Sequence, residues 1–124
     1  MSDRFGLRLE RSGPGGAVAR VTLARPEVRN AFNAELIAAL DATFAELSAE
    51  PAERLRAVVL AGEGRSFSAG ADIAWQQAAL QLTLAENEAD AGRLHDMMAT
   101  IDRCPVPVVA RVHGAALGGG MGLC

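Results

Sequence analysis

The chain has 124 residues, half of them hydrophobic, enough to bury one core and to set the expectation of a single domain or part of one. Its net charge of -3, with both signs scattered, argues against a nucleic-acid or membrane surface, and all twelve basic residues are arginine, which removes Schiff-base and P-loop lysine chemistry. Two cysteines without a CxxC pair and two histidines suggest neither a disulfide framework nor a metal site, and the opening Met1-Ser2-Asp3-Arg4 begins no signal peptide or membrane span, so a reducing cytoplasm is the expected location.

Phe5 to Glu10 and Ala17 to Leu23 alternate apolar and polar residues around the turn Gly13-Pro14-Gly15-Gly16, the pattern of a β-hairpin. Arg25-Pro26-Glu27 breaks it. Asn33 is a candidate N-cap for a helix that buries Leu36, Ile37, Leu40, Phe44 and Leu47 on one face and closes by Pro51. Leu55 to Ala61 is a short apolar run of the kind buried on both faces of a sheet, followed by a turn and the small-residue stretch Ser66 to Ile73. Ala74 to Thr83 has no clear register. Leu84, Asn87, Ala91, Leu94, Met98 and Ile101 recur at helical steps, with Met97 and Met98 as core filler, and Cys104-Pro105-Val106-Pro107 ends that helix. Val108 to Val112 is expected as another buried strand, and the glycine-rich turn after it opens a last helix.

Strands alternating with helices predict an α/β domain with ligands at the carboxyl ends of the strands. Two such ends, Ser66 to Ile73 and Gly114 to Gly122, are rich in small residues; if the strands are neighbours, two backbone loops converge and aim a pair of N–H groups at one point, as an oxyanion requires. Other glycine-rich sites fit poorly. A Walker A loop lacks its Gly-Lys-Ser/Thr, Leu123 stands where a dinucleotide fingerprint needs its third glycine, and Gly64-Arg65-Ser66-Phe67-Ser68 misses the last glycine of an esterase elbow. His113 reads as a packed or hydrogen-bonded residue and Cys104 as inert, while Trp75, Leu80 and Leu82 suit either an acyl pocket or a helix face.

Phe67-Ser68-Ala69-Gly70-Ala71-Asp72-Ile73, then Val112-His113-Gly114-Ala115-Ala116-Leu117-Gly118-Gly119-Gly120, resembles the two signature segments of the enoyl-CoA hydratase/isomerase, or crotonase, family. Arg25-Pro26 with Asn30-Ala31-Phe32-Asn33 is similar to a third marker near the CoA-binding end. The resemblance implies a spiral of repeated ββα units, of which residues 1–124 would form the N-terminal part, incomplete in this chain. It also implies a homotrimer or hexamer acting on acyl-CoA thioesters, with no cofactor beyond the CoA of the substrate.

The same match puts oxyanion-hole N–H groups at Ala71 and Gly119, and Asp72, Ile73 and Ala74 beside the pantetheine and thioester. It sets Ala69 at the adenine through its carbonyl, Arg29 at the CoA phosphates and Ala31 in the CoA-binding marker. Arg29 is equally readable as a solvated loop arginine, and Asp72 as a turn or cap residue rather than a catalytic carboxylate. Many members carry a glutamate two places after the triple glycine, where this chain has Gly122; a second glutamate would fall past Cys124. A similar small residue there, with the segments around Trp75 and Arg111 to Leu123, resembles the branch of methylglutaconyl-CoA and carboxygeranoyl-CoA hydratases. Hydration of an enoyl-CoA is therefore the expected reaction, with an isomerase or a non-catalytic acyl-CoA binder as alternatives.

Overall fold

A computed structural model describes residues 2–124, with side chains from Phe5 onward. Strands β1 (Ser2–Arg4), β2 (Leu7–Ser12) and β3 (Val18–Leu23) form an antiparallel meander, so the expected hairpin is present and gains a short strand outside it. Helix α1 (Ala34–Ser48) follows, and β4 (Ala57–Gly62) then pairs parallel to β3. Helices α2 (Ile73–Ala79) and α3 (Leu84–Asp102) lead to β5 (Val108–Arg111), parallel to β4, and the single turn α4 (Gly119–Gly122) comes last. The five strands lie in sequence order in one mixed α/β sheet. β2, β3 and α1 make one ββα unit.

Register explains which residues meet in the core. Leu9 stands opposite Val21, Val21 opposite Leu60 and Leu60 opposite Ala110, so one row of apolar side chains crosses four strands on a single face. Against that face α1 lays Leu36, Leu40 and Phe44, all fully buried, each worth roughly 1.5–3 kcal/mol of transfer free energy. Helix α1 begins where its sequence says it should, because the Asn33 side chain accepts the Leu36 N–H at 2.9 Å. Helix α3 starts with a capping box: Thr83 Oγ1 accepts the Glu86 N–H and Glu86 accepts the Thr83 N–H. Met97 of α3 is buried against the same core.

Two expectations need correcting. The stretch after Asp72 is not without register: it is α2, held by a side-chain cap, and it buries no residue, which is why no apolar period marks it. The Val108 strand is not buried on both faces; it is an edge strand with Val109 56% exposed, because only β4 pairs with it. No helix among the described residues is long and apolar enough to cross a membrane.

Candidate active site

The loop after β3 and the two glycine- and alanine-rich segments are far apart in sequence and meet at one end of the sheet. The loop after β3 runs through Pro26–Val28 as a 3-10 turn and then places Arg29 and Asn30 in left-handed conformations, φ 54° and 56°. Asn30 tolerates this because its side chain is fully used. Its Oδ1 accepts the Arg25 N–H at 2.8 Å, and its buried Nδ2 faces the carbonyls of Glu63, Ser66 and Phe67 at 2.8 to 3.1 Å. Its own carbonyl accepts Ser68 Oγ–H. One buried amide thus ties the loop after β3 to the loop after β4, and its loss would leave buried carbonyls unpaired.

Phe32 continues that seam. Its N–H donates to Gly70 O at 2.6 Å and its carbonyl accepts the Asp72 N–H at 2.7 Å, forming a parallel bridge opposite Ala71. In such a bridge the N–H of Ala71 points away from Phe32. A second bridge joins the loop after β4 to the loop after β5: Ser68 N–H donates to Ala115 O and Ser68 O accepts Leu117 N–H. The glycine turn therefore lies alongside Ser68 to Gly70.

The closeness of this approach explains the composition. Gly70 has φ 89°, and a Cβ there would stand 2.8 Å from Leu117 O and 3.3 Å from the Gly119 nitrogen. A Cβ on Gly120 would come within 2.5 Å of Ser68 O. Gly119 opens α4, and a Cβ there would meet the Phe32 ring at 2.8 Å. Phe32 therefore braces both expected donors, by its main chain beside Ala71 and by its ring beneath Gly119. In the sequence Phe32 stands out only as part of the Asn30-Ala31-Phe32-Asn33 marker, a large aromatic just ahead of the Asn33 cap.

Neither the Ala71 N–H nor the Gly119 N–H donates to an acceptor among the described residues. Two separate loops thus bring two unpartnered donors to the same edge, with Gly70, next to Ala71 in the chain, packed against the Gly119 nitrogen. Such a pair can stabilise negative charge growing on a carbonyl oxygen.

The other expected site residues fall around this pair. Ala69 donates its N–H to Arg29 O at 2.9 Å, and its carbonyl receives no hydrogen bond among the described residues. The Arg29 side chain is exposed, has no partner among the described residues, and is brought beside Ala69 by that main-chain bond. Ala31 is buried, and its carbonyl accepts Arg25 Nη1–H. Ile73, 71% exposed, and the exposed Ala74 sit on the first turn of α2.

Asp72 is a cap. One oxygen accepts the Trp75 N–H at 3.0 Å and the other accepts Arg25 Nη2–H at 3.2 Å. The Trp75 N–H, and after it Arg25, hold its carboxyl below the ordinary aspartate value against the opposing effect of burial. An ionised carboxylate with both oxygens engaged is a poor proton donor at neutral pH. At Gly122 a Cβ would face Met98, 3.3 Å from its methyl carbon. His113 donates from Nε2 to Gly64 O at 2.6 Å, pinning the two loops together. Among the described residues no cluster of three metal-ligating side chains forms.

Comparison with known proteins places the chain in a family and a fold. A sequence model of the enoyl-CoA hydratase/isomerase family matches residues 14–124. A Thermus thermophilus protein carrying an enoyl-CoA hydratase name is 40% identical over 108 residues, covering 87% of this chain and 42% of that protein. The mitochondrial Delta(3,5)-Delta(2,4)-dienoyl-CoA isomerase of Mus musculus is 34% identical over 86% of this chain and 34% of its own length. The crystal structure of an enoyl-CoA hydratase from Shewanella pealeana superposes with a TM-score of 0.87 at 31% identity, over 95% of this chain and 43% of that one. The chain spans less than half the length of these relatives.

Proposed function

This chain belongs to the enoyl-CoA hydratase/isomerase family, and from that membership we propose that it acts on acyl-CoA thioesters as an enoyl-CoA hydratase. The observation that carries the reading is the meeting of two unpartnered backbone donors, Ala71 and Gly119, from separate loops. A base takes a proton from water as the water oxygen bonds to C3 of the enoyl group, the C2–C3 π electrons move toward the thioester oxygen, and the two N–H groups hold that enolate. Its collapse takes a proton at C2 and restores the carbonyl. Loss of one such donor costs roughly 3 kcal/mol in comparable sites, or a rate factor on the order of 10² to 10³.

In this reading the carbonyl of Ala69 meets the adenine, Arg29 the CoA phosphates, and Ala31, Asp72, Ile73 and Ala74 line the pantetheine path. CoA arrives with the substrate, so no separate cofactor is needed. Gly122 carries no proton-transfer group, which places that work on another residue. A branched, carboxylated substrate such as methylglutaconyl-CoA fits the sequence around Trp75 and Gly122, and a trimer or hexamer in the cytoplasm is the expected working form.

Crotonyl-CoA has a conjugated enoyl chromophore, and its absorbance should fall on addition of the protein. Unchanged absorbance with every enoyl-CoA tried would sink the hydratase reading. The isomerase alternative has specific support in the 34% identical relative named as a dienoyl-CoA isomerase. It requires a proton shuttle and no water, so a 3-enoyl-CoA would gain conjugated absorbance instead. Calorimetric binding of acyl-CoA without either change would identify a binder.

A further inference from the structure

We propose that Arg25 and Asp72 form a positioning pair that aims the Ala71 N–H at its ligand, a role beyond capping α2; this rests on the enolate-holding reading of the site. Arg25 is itself fixed on every side. Its N–H donates to Asn30 Oδ1, its carbonyl accepts the N–H groups of Val28 and Asn30, and the stem of its side chain fills the space where Gly6 lacks a Cβ. From that anchored base its guanidinium reaches two acceptors, Ala31 O through Nη1 and Asp72 Oδ2 through Nη2. The two side chains are largely buried, 17% and 10% exposed, so the pair is held more firmly than an exposed surface pair.

Those two acceptors flank the seam that holds Ala71. Ala31 precedes Phe32, and Phe32 pairs with Gly70 and Asp72 on either side of the Ala71 peptide. The guanidinium therefore closes a ring: Arg25 to Ala31, Phe32 to Gly70 and Asp72, Asp72 back to Arg25. Ala71 lies inside that ring with its N–H turned outward. Two bonds from one rigid planar group to two different acceptors fix their separation as well as each distance, which a single contact cannot do. A donor must meet its oxyanion within a few tenths of an ångström to be useful, so a slack ring would weaken the hole while leaving the rest of the binding surface intact.

The test compares Asp72→Asn and Arg25→Lys with the wild-type chain. Asparagine keeps an oxygen for the Trp75 N–H, so α2 stays capped, but it sets an amide N–H₂ against Arg25 and breaks the pair. Lysine keeps the charge and loses the fork. Each protein is titrated with free CoA by calorimetry and with an aryl-conjugated enoyl-CoA by absorbance, because donors on a thioester carbonyl polarise the conjugated chromophore and move its absorbance to the red.

The wild type should show that red shift; in Asp72→Asn, read at saturating ligand, the shift per bound ligand should fall to less than half. Arg25→Lys, which keeps the charge, should retain only part of the wild-type shift. A full wild-type shift in both variants overturns the positioning role and leaves the functional reading standing. No shift in the wild type overturns both. If Asp72→Asn does not fold, Arg25→Lys decides by the same readout: a full shift overturns the role and a reduced one supports it.

Discussion

At Gly70 the chain combines a left-handed backbone, φ 89°, with a neighbour 2.8 Å from where a Cβ would stand. Gly70→Ala should therefore cost about 1–3 kcal/mol of stability, read as a lower urea midpoint, and the loss comes from both strain and displacement of the glycine turn. Asp72 makes a different kind of statement. Its folded pKa lies below the ordinary aspartate value, so its contribution to stability is complete above that value and is lost as pH falls through the lower, folded one. Urea midpoints measured from about pH 6 down to about 3 should show Asp72→Asn least stable relative to wild type at the top of that range, with the gap closing toward acid. A Cβ at Gly122 would meet only the flexible end of Met98, which can give way to it. Under the hydratase reading, Gly122→Glu should raise the rate of crotonyl-CoA hydration by about tenfold or more, in line with the 10²–10⁴-fold typical of a placed acid or base. An unchanged rate would mean that proton transfer is not what limits the chain.

Among the elements, α3 owes its start to the Thr83–Glu86 capping box, in which the Thr83 N–H holds the Glu86 carboxyl below its ordinary value. Thr83→Ala should lower stability by about 1 kcal/mol, measured by thermal or urea unfolding. Elements with a strong period were legible in the sequence: α1 from Leu36, Ile37, Leu40, Phe44 and Leu47, and the β2–β3 hairpin from strict alternation. Helix α2 was not, because it rests on a cap rather than on a buried face, and β5 was misjudged because Val108, Val109 and Ala110 read alike whether a strand is central or at an edge. The convergence of the two glycine-rich loops was visible as a conditional statement that needed β4 and β5 to be neighbours, and they are. Asn30 and Phe32 were not readable as struts, since what each one does depends on main-chain carbonyls brought in from more than thirty residues away.

Over the whole molecule, the apolar surface is uneven. Leu36, Phe44 and Leu60 are sealed in, yet Val109 of the edge strand and Val112, Leu117 and Met121 after it stand 43–64% exposed on the β5 side of the sheet and in the glycine turn that follows, besides Ile73, Leu80 and Leu84 on α2 and around it. A chain with that surface and an open strand edge should associate as its concentration rises. Light scattering across a dilution series should show it, and Val109→Lys should suppress it while changing the unfolding free energy from urea titration by no more than about 0.5 kcal/mol. An identical scattering profile for the two proteins would place the contact elsewhere. The proposed reactive groups on that same side obey a different logic, because the N–H groups of Ala71 and Gly119 belong to peptide bonds rather than to side chains. Apart from proline, no genetic substitution can delete either one. Mutation can only tilt or crowd them, so any change of activity by drift must be written into their surroundings, and a clean deletion would take chemical synthesis, an ester in place of the amide.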